Sequence, residues 1–261
     1  MELSIIILSY RMKRLVRNCL RALEEANIEI PHEIIVVDND SNDGIKEMLS
    51  EDFPKVKFLQ SNSNLGMGGG NNLGIRQAMG DNVLILNPDI YITKEAVYKM
   101  IEYLGKHKKV GLIGPKLLNP DKSLQHTCYR WHKFWIPLYR RTAIGRFDWA
   151  KREIDHFLMK DFDHNSIKEV DWIQGSCIML PREVIEKNGS FDESFFMYFE
   201  DTDLCRRLWK AGHSVVYHGE VAVVHMHMRM SSGGFTGIFF NKLMRVHIKS
   251  WLRYMWKHRG N

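Results

Sequence analysis

The chain lacks long apolar segments and paired cysteines. Its 261 residues contain no apolar run of about 18 residues, the length that a membrane-spanning helix requires. The first residues carry no basic segment ahead of an apolar stretch, so no signal peptide is predicted either. The four cysteines are scattered and form no CxxC pair, which argues against a zinc knuckle or a disulfide framework and favours a reducing cytosol.

Charge and composition indicate a globular protein with an anionic partner. Lys and Arg number 37 against 31 Asp and Glu, which gives a formal net charge of +6. Such an excess suits a nucleotide, a nucleic acid or a membrane surface. A chain of this length with 44% hydrophobic residues supports one large α/β domain, or one domain with an appended segment.

Short apolar runs alternate with helix-like segments in the first half of the chain. This alternation predicts βαβ units and a parallel sheet covered by helices on both faces. Ligands of such sheets bind outside the carboxyl ends of the strands. The predicted strands of this half are residues 4–8, 33–37, 56–59 and 82–86, and later strands are predicted over residues 171–180, 214–217 and 221–227.

Two later segments do not follow this alternation. Residues 130–165 are rich in aromatic and charged residues and are predicted to form an irregular insertion or a mobile loop. Residues 237–259 place apolar residues at helical spacing among many basic ones. Such a helix either lies in the headgroup layer of an anionic membrane or packs its apolar side on the domain, and its period fits both.

Polar residues follow the predicted strands. Asp38 ends the second strand and can accept from the ring N–H of a uracil or thymine base, although turn chemistry alone explains an acidic loop there. After the fourth strand, Pro88 ends the sheet ladder and Asp89 can present a carboxylate to Mg²⁺ or Mn²⁺. Thr93 is the better cap for the next helix, which leaves Asp89 for function.

The segment 64–74 is rich in glycine and precedes a helix predicted around residues 72–79. Its backbone N–H groups can approach a diphosphate or a sugar closely. No Gly-Lys-Ser/Thr closes the segment, so it is not a P-loop. It also follows the third strand and not the first, which argues against a dinucleotide-binding fingerprint.

An acidic cluster, residues 200–203, opens another predicted helix. Acidic residues complement the helix dipole, but three carboxylates in four residues exceed that need. One of them can serve as a general base towards a hydroxyl. Further along, His225 and His227 point to one face of a strand, where one of them can complete a metal site begun by Asp89.

In order along the chain, these features resemble the family 2 glycosyltransferases of the GT-A fold, most nearly the bacterial rhamnosyltransferase-like members. The matching stretches, within residues 3–230, are SIIILSY, EIIVVDNDSNDG, SNLGMGGGNNLGI, LILNPDI, GPKLLNPDKSLQ, WIQGSCIMLPREV, GSFDESFFMYFEDTDLCRRLWKAG and VAVVH. The resemblance implies an α/β fold with a mixed, mainly parallel central sheet, flanking helices and a C-terminal amphipathic helix. It divides the chain into a glycosyltransferase domain, 1–236, and a basic helix, 237–261. Within that domain we expect a nucleotide-binding half (about 1–116) and an acceptor half (about 117–236).

The resemblance also implies roles for individual residues. Asp201 matches the catalytic base, with Glu200 beside it, and Asp89 with His225 or His227 matches the site of Mg²⁺ or Mn²⁺. The predicted donor-binding residues are Tyr10, Asp38, Asn39, Gly69, Gly70, Asn71 and Asn87. The predicted acceptor-side residues are Trp172, Gln174, Gly175 and Asp203. Where the family commonly has Asn-Tyr-Asn after the first strand, this chain has Ser9-Tyr10-Arg11, which leaves the contacts of Ser9 and Arg11 open.

The implied activity is an inverting transfer of a sugar from a dTDP- or UDP-sugar, with dTDP-rhamnose the leading donor. The expected acceptor is a cell-surface polysaccharide or a polyprenyl-linked glycan, and no nucleic acid. The enzyme would touch an anionic membrane peripherally, on the cytoplasmic face of the inner membrane. One alternative is a non-catalytic nucleotide-sugar or glycan-binding module, which would need no base in the cluster 200–203. Another is a nucleotidyltransferase, which would carry a glycine-rich loop after the first strand, where residues 9–14 have no glycine.

Overall fold

A computed structural model describes residues 1–226 and 242–259 of the chain, except for the side chains of Arg141 and Lys242. His227 and the first residues of the predicted terminal helix, 237–241, lie outside this description. The strands are β1 (Leu3–Ser9), β2 (His32–Asp38), β3 (Lys57–Gln60), β4 (Asn82–Leu86), β5 (Ile90–Tyr91), β6 (Val110–Leu118), β7 (Leu124–Gln125), β8 (Cys128–Tyr129), β9 (Ile167–Glu169), β10 (Trp172–Ile173), β11 (Cys177–Pro181) and β12 (Ser214–His225). The helices are α1 (Lys13–Ala26), α2 (Ile45–Asp52), α3 (Gly66–Ile75), α4 (Lys94–Lys106), α5 (Ile136–Arg141), α6 (Asp148–Phe157), α7 (Arg182–Asn188), α8 (Glu200–Lys210) and α9 (Lys242–Lys257).

One mixed sheet runs through the molecule in the order β3-β2-β1-β4-β11-β6-β12-β5. The first four strands of this order are parallel to one another, and β6 and β12 form a further parallel pair. Strand β11 lies antiparallel between β4 and β6 and so joins the two groups. The predicted mixed, mainly parallel α/β fold is confirmed. The predicted boundary between the two halves of the domain, at about residue 116, lies within β6, a strand of this sheet. The division into a nucleotide-binding half and an acceptor half therefore stays a prediction.

The central strands are buried because their apolar residues face helices on both sides. All seven residues of β1 are buried. Side chains alternate along a strand, so Ile5 and Ile7 join the apolar cluster with α1, α2 and α4. Ile6 and Leu8 join the opposite cluster, which includes residues of α7 and α8. A continuous apolar run therefore marks a strand covered on both faces.

The glycine-rich segment is a helix and not the predicted loop. Helix α3 begins at Gly66, its glycines are buried, and two of them, Gly70 and Gly74, face residues of β1. A Cβ atom at Gly74 would lie 2.6 Å from Cγ2 of Ile6, and one at Gly70 would overlap the side chain of Leu8. Glycine lowers helix propensity, but here it permits a close approach of helix and sheet that larger residues would prevent.

Three further segments differ from the sequence prediction. Region 130–165, predicted to be irregular, contains α5, a 3-10 turn at Ala143–Arg146 and α6. Its helices are short and α6 buries only Ala150 and Phe157, so the sequence shows little period. The two strands predicted in 214–227 are one strand, β12, with an irregularity between His218 and Ala222. The strand predicted over 171–180 is instead two short strands, β10 and β11.

The cap of α4 agrees with the sequence prediction. The hydroxyl of Thr93 accepts a hydrogen bond from the Ala96 N–H at 3.3 Å, so Thr93 is the N-cap. Asp89 therefore does not cap this helix.

Helix α9 packs on the domain through one face. Tyr254 is fully buried against Phe195 and Phe199. The exposed residues of α9 and of the turn that follows it are spaced three or four apart. They are Arg245, Lys249, Leu252, Trp256 and Arg259. None of the helices in the described part of the chain combines the length and apolar character that crossing a bilayer requires.

The close packing of α3 can be tested with three glycines. Gly66 has φ +75°, and a Cβ there would overlap the Phe196 carbonyl oxygen. We expect Gly66→Ala to lower the free energy of unfolding by about 1–2 kcal/mol for the left-handed conformation and by about 1–3 kcal/mol more for the overlap. Urea denaturation measures the change.

Two controls separate these contributions. Gly212 has φ +84° with no atom near a Cβ, so Gly212→Ala should show only the conformational cost. Gly105 lies in α4 with open space around it, so Gly105→Ala should stabilise the protein by about 0.5–1 kcal/mol. Equal losses for Gly66→Ala and Gly212→Ala would contradict the close approach.

Candidate active site

The carboxyl ends of β1, β2 and β4 meet at one edge of the sheet and carry five of the predicted site residues, Tyr10, Asp38, Asn39, Asn87 and Asp89. The Asn39 N–H donates to the Ser9 carbonyl at 2.8 Å, which joins the ends of β1 and β2. The Asn87 N–H donates to the Ser176 carbonyl at 2.8 Å, which joins the end of β4 to the turn before β11. This edge is where ligands of α/β sheets bind.

Asp38 is buried at the end of β2 with half of its carboxylate paired. Its Oδ2 accepts from the Ser41 N–H at 3.2 Å and from Gln60 Nε2 at 3.0 Å. Its Oδ1 has no hydrogen-bond partner among the described residues. A buried carboxylate oxygen is costly to leave unpaired, so this atom suits an N–H donor of a ligand.

Tyr10 and Asn39 flank Asp38 in different ways. The Tyr10 ring is partly exposed, with the Arg11 guanidinium 5.3 Å from its centre. The Asn39 side chain is turned into the protein. Its amide donates to Asn64 Oδ1 at 3.0 Å and to the Gly66 carbonyl at 3.1 Å, and its Oδ1 accepts from Leu65. Asn39 thus holds the turn that leads into α3.

The predicted donor residues of α3 are buried inside the fold. Cβ atoms at Gly69 and Gly70 would meet Leu65 and Leu8, so packing within the protein explains both glycines. Asn71 donates to the Met67 carbonyl at 3.0 Å, while its Oδ1 is buried without a partner in the described structure. Asn71 is therefore the member of this group with an unused polar atom.

Asp89 and His225 lie side by side, as the sequence predicts for a metal site. Asp89 Oδ2 is 3.1 Å from His225 Nε2. On its other side, His225 Nδ1 donates to Gln125 Oε1 at 2.9 Å. The backbone closes the group, since the Met226 N–H donates to the Asp89 carbonyl at 2.8 Å. In residues 1–226 and 242–259, no cluster of three or more His, Cys, Asp or Glu residues forms a metal site.

Asp201 and Glu200 occupy the first turn of α8. Asp201 Oδ2 accepts from the Gly175 N–H at 3.0 Å, and its Oδ1 accepts from the Thr202 N–H at 2.7 Å. Burial raises the pKa of Asp201, and these hydrogen bonds partly oppose the rise. Burial also raises the pKa of Glu200 well above its ordinary value, and the neighbouring charge of Asp201 adds to that rise.

The four predicted acceptor-side residues have different surroundings. Gly175 contacts Asp201, and a Cβ there would lie 3.3 Å from the Asp201 Cβ. Gln174 is half-buried and donates its N–H to the Thr127 carbonyl at 2.8 Å. Trp172 is buried, with its ring stacked on Tyr129 at 4.3 Å.

Asp203 is not brought to the site. It is fully buried on the other side of α8, where Arg207 Nε lies 2.9 Å from Oδ2. Lys257 Nζ and His258 Nε2 lie 2.7 and 2.9 Å from Oδ1. These three contacts join α8 to the C-terminal segment, so the packing of these two elements explains the position of Asp203.

Three residues that the sequence reasoning missed support the site. Gln60 binds Asp38, Gln125 binds His225, and Ser176 binds the backbone of Asn87. Gln60 and Gln125 each end a short strand. Their position at a strand end was the one sequence feature that could have marked these two glutamines. Their partners could not be predicted, because they come from distant segments of the chain.

Family models and several known proteins are similar to this chain in sequence. The family described as "Glycosyl transferase family 2" matches residues 4–187, and "Glycosyl transferase family group 2" matches residues 124–258. The chain is 29% identical over 216 residues to the N-acetylglucosaminyl-diphospho-decaprenol L-rhamnosyltransferase of Mycobacterium tuberculosis, covering 78% of this chain and 69% of that one. It is 25% identical over 253 residues to the rhamnosyltransferase WbbL of Escherichia coli K12, covering 92% and 88%.

A solved structure shows the same fold. GalNAc-T7 with UDP, GalNAc and Mn²⁺ superposes with a TM-score of 0.69 at 13% identity. The match covers 98% of this chain and 47% of the other, so this chain spans about half of that protein. At this level of identity the likeness concerns the fold alone.

The raised pKa of Glu200 predicts a pH-dependent stability. A carboxyl whose pKa is higher in the folded state favours folding at low pH, and that contribution is lost as pH rises through the folded pKa. Each unit of elevation is worth about 1.4 kcal/mol. We therefore expect Glu200→Gln to gain stability relative to wild type as pH rises from 5 to 8, measured by urea unfolding. The control is Glu24→Gln on the exposed face of α1, and parallel curves for wild type and Glu200→Gln would contradict the prediction.

Proposed function

The chain belongs to glycosyl transferase family 2, and we propose that it is an inverting L-rhamnosyltransferase that uses a nucleoside-diphosphate sugar, with dTDP-rhamnose the leading donor. The observation that carries this proposal is the hydrogen-bonded pair of Asp201 and Gly175 at the edge where Asp38, Asp89 and His225 also lie. The relatives from Mycobacterium tuberculosis and Escherichia coli, both named for rhamnosyl transfer, support the choice of sugar.

The nucleotide-binding half would hold the donor through polar atoms that have no partner inside the protein. The unpaired Oδ1 of Asp38 suits the ring N–H of thymine or uracil, and the half-exposed ring of Tyr10 suits stacking on the base. The unpaired Oδ1 of Asn71 lies on α3, the helix whose first residue, Gly66, is hydrogen-bonded to Asn39 at this edge. Gly70 would act indirectly, by letting α3 lie close to β1, and Gly69 by leaving room for the Leu65 side chain. Asn39 would act through the turn that it holds, and Asn87 would shape the turn that carries Asp89.

Asp89 and His225 fit a divalent cation. With Nδ1 donating to Gln125, the Nε2 lone pair of a neutral His225 faces the Asp89 carboxylate, and a positive charge between them stabilises the pair. One carboxylate and one imidazole leave room for phosphate oxygens, which is how Mg²⁺ and Mn²⁺ are often held. When bound, such a cation would neutralise charge on the departing nucleoside diphosphate. The Mn²⁺ in GalNAc-T7 supports this assignment.

Asp201 would remove the proton from the acceptor hydroxyl. The attacking oxygen forms a bond to the anomeric carbon, and the bond from that carbon to the diphosphate oxygen breaks on the opposite face. The proton passes to the Asp201 carboxylate, so no covalent intermediate is needed. The N–H groups of Gly175 and Thr202 orient this carboxylate, and its raised pKa makes it a stronger base than an exposed aspartate.

The acceptor we propose is a glycan on a polyprenyl diphosphate, or a growing cell-surface polysaccharide. The name of the Mycobacterium tuberculosis relative, which specifies a decaprenol-linked acceptor, supports a lipid-linked substrate. The outward face of α9 offers basic residues beside Leu252 and Trp256, and nearby Phe134 contacts Trp251 with ring centres 4.8 Å apart. This combination suits peripheral contact with an anionic membrane. We place the enzyme on the cytoplasmic face of the inner membrane.

Loss of the proposed base should abolish transfer. We expect Asp201→Asn to lower kcat by about 10²–10⁴-fold, because the amide cannot accept the acceptor's proton. Its affinity for dTDP should stay within about twofold of wild type, because Asp38 and α3 hold the nucleotide. Rhamnosyl transfer from dTDP-rhamnose to a short-chain polyprenyl-diphosphate acceptor measures kcat, and calorimetry measures affinity.

The matched control for this experiment is Asp52→Asn, an exposed residue of α2 paired with Arg17. Its turnover should equal that of wild type. Wild-type turnover by Asp201→Asn would remove Asp201 from the role of base. A purified wild-type protein that binds dTDP-rhamnose but neither transfers nor hydrolyses it would favour the binding-module alternative.

Loss of the proposed metal ligand should uncouple nucleotide binding from the cation. We expect wild type to bind dTDP at least about tenfold more tightly in Mn²⁺ than in EDTA, a gain of about 1.4 kcal/mol. Asp89→Ala should lose this gain. Asp81→Ala, at the opposite end of β4, is the control and should keep it. Calorimetry that shows equal affinities in Mn²⁺ and EDTA for wild type would overturn the metal assignment.

A further inference from the structure

The backbone immediately before the acid pair is strained. Tyr198 and Phe199 both have left-handed conformations, with φ +67° and +69°. Aromatic residues rarely adopt this conformation, and two in succession persist only where surrounding contacts impose them. Glu200 and Asp201 follow at once, so the direction of the first turn of α8 depends on how residues 198–199 are held.

Helix α3 fixes the beginning of this segment. The Asn72 amide donates to the Phe191 carbonyl at 2.8 Å, and the Phe191 N–H donates back to Asn72 Oδ1 at 3.1 Å. Further along, the Met67 N–H donates to the Phe196 carbonyl at 2.7 Å. The last of these contacts is at Phe196, two residues before the strained pair of Tyr198 and Phe199.

Helix α9 holds the same segment from the other side. Ser250 Oγ donates to the Met197 carbonyl at 2.8 Å, and Arg253 Nη1 donates to the Ser194 carbonyl at 2.6 Å. Lys257 Nζ donates to Asp192 Oδ2 at 2.6 Å. Burial alone would raise the pKa of Asp192, but the hydrogen bonds from Lys257 and from the Ser194 backbone and side chain outweigh it and lower the pKa to about 2.

Aromatic rings from α9 pack on the strained residues themselves. The His247 ring lies 4.7 Å from the Tyr198 ring, and the Tyr254 ring lies 5.3 Å from the Phe199 ring. His132 of the insertion covers Phe199 from a third direction, at 4.8 Å. Burial lowers the pKa of His132 to about 3, so this ring packs as a neutral group at physiological pH.

Asp203 ties α9 to α8 directly. One carboxylate oxygen meets both Lys257 and His258 of the C-terminal segment, and the other meets Arg207 of α8. Asp203 lies two residues after Asp201, within the first turn of α8. The C-terminal segment therefore contacts the chain on both sides of the acid pair, at residues 192–199 and at Asp203.

We propose that α9 is a positioning element for the acid pair, which acts through Ser250 on the strained turn and through Asp203 on the first turn of α8. This inference rests on the proposed role of Asp201 as the base. It assigns the inner face of α9 a part in turnover that is separate from membrane contact by the outer face. Asp203 and Ser250 are positioning residues, because neither touches the reacting atoms.

Two substitutions test the proposal. We expect Ser250→Ala and Asp203→Asn each to lower kcat with a soluble acceptor on the order of tenfold to a hundredfold, because small misplacements of catalytic groups cost that much. Affinity for dTDP should stay within about twofold, because the nucleotide is bound at the β1 and β2 ends. Ser250→Thr keeps the hydroxyl and should restore turnover.

A pH profile distinguishes positioning from general loss of structure. The groups facing Asp201 are Glu200 on its own helix, Cys205 one turn on, and Tyr129 from β8. Loosening the turn admits water, so the raised pKa of Asp201 should fall towards its ordinary value. The base must be ionised to act, so the acid limb of kcat/KM should move to lower pH in both variants.

The controls are Ser50→Ala, an exposed serine of α2 that also donates to a backbone carbonyl, and Asp52→Asn. Both should behave as wild type. Turnover within twofold of wild type in Ser250→Ala and Asp203→Asn would overturn the proposal, as would a loss of kcat matched by equal losses of dTDP affinity and folded fraction. Full activity of Asp201→Asn is a different result, which would refute the proposed base itself.

Discussion

The hydrogen bond from the Met67 N–H to the Phe196 carbonyl holds the two halves of the site together. It is possible only because Gly66, with φ +75° and no side chain, lets the beginning of α3 meet the backbone of Phe196. Helix α3 lies against β1 and β2, whose ends carry the proposed nucleotide site, while the Phe196 segment leads into α8 and the acid pair. This close approach therefore helps to set the distance between the proposed nucleotide site and the acid pair.

The fold was largely predictable from the sequence because continuous apolar strands covered on both faces leave a strong pattern. Strand ends were predictable for the same reason, and they brought Asp38, Asp89 and His225 to one edge. The glycine-rich segment was wrongly predicted as a loop. Its glycines reflect contacts with Leu8 and with the Phe196 backbone, and such contacts join residues far apart in the chain.

Asp203 shows why residue roles were harder to predict than positions. Three acidic residues in one helical turn look equivalent in the sequence, yet they face different surroundings. Asp201 turns to the Gly175 N–H, while Asp203 turns to Lys257 and His258. The surroundings of Asp203 depend on the packing of the C-terminal segment, more than 50 residues later in the chain. The supporting role of Gln125 was hidden in the same way, because its partner His225 is 100 residues distant.

The two faces of α9 also change how its charge should be counted. In the sequence, every basic residue of this helix contributes equally to attraction by an anionic surface. In the structure, Arg253 is already engaged with the Ser194 carbonyl, and Lys257 with the carboxylates of Asp192 and of the buried Asp203. The outward charge of the described helix comes instead from residues such as Arg245 and Lys249. Membrane attraction and support of the acid pair therefore draw on different residues of one helix, and substitutions can separate them.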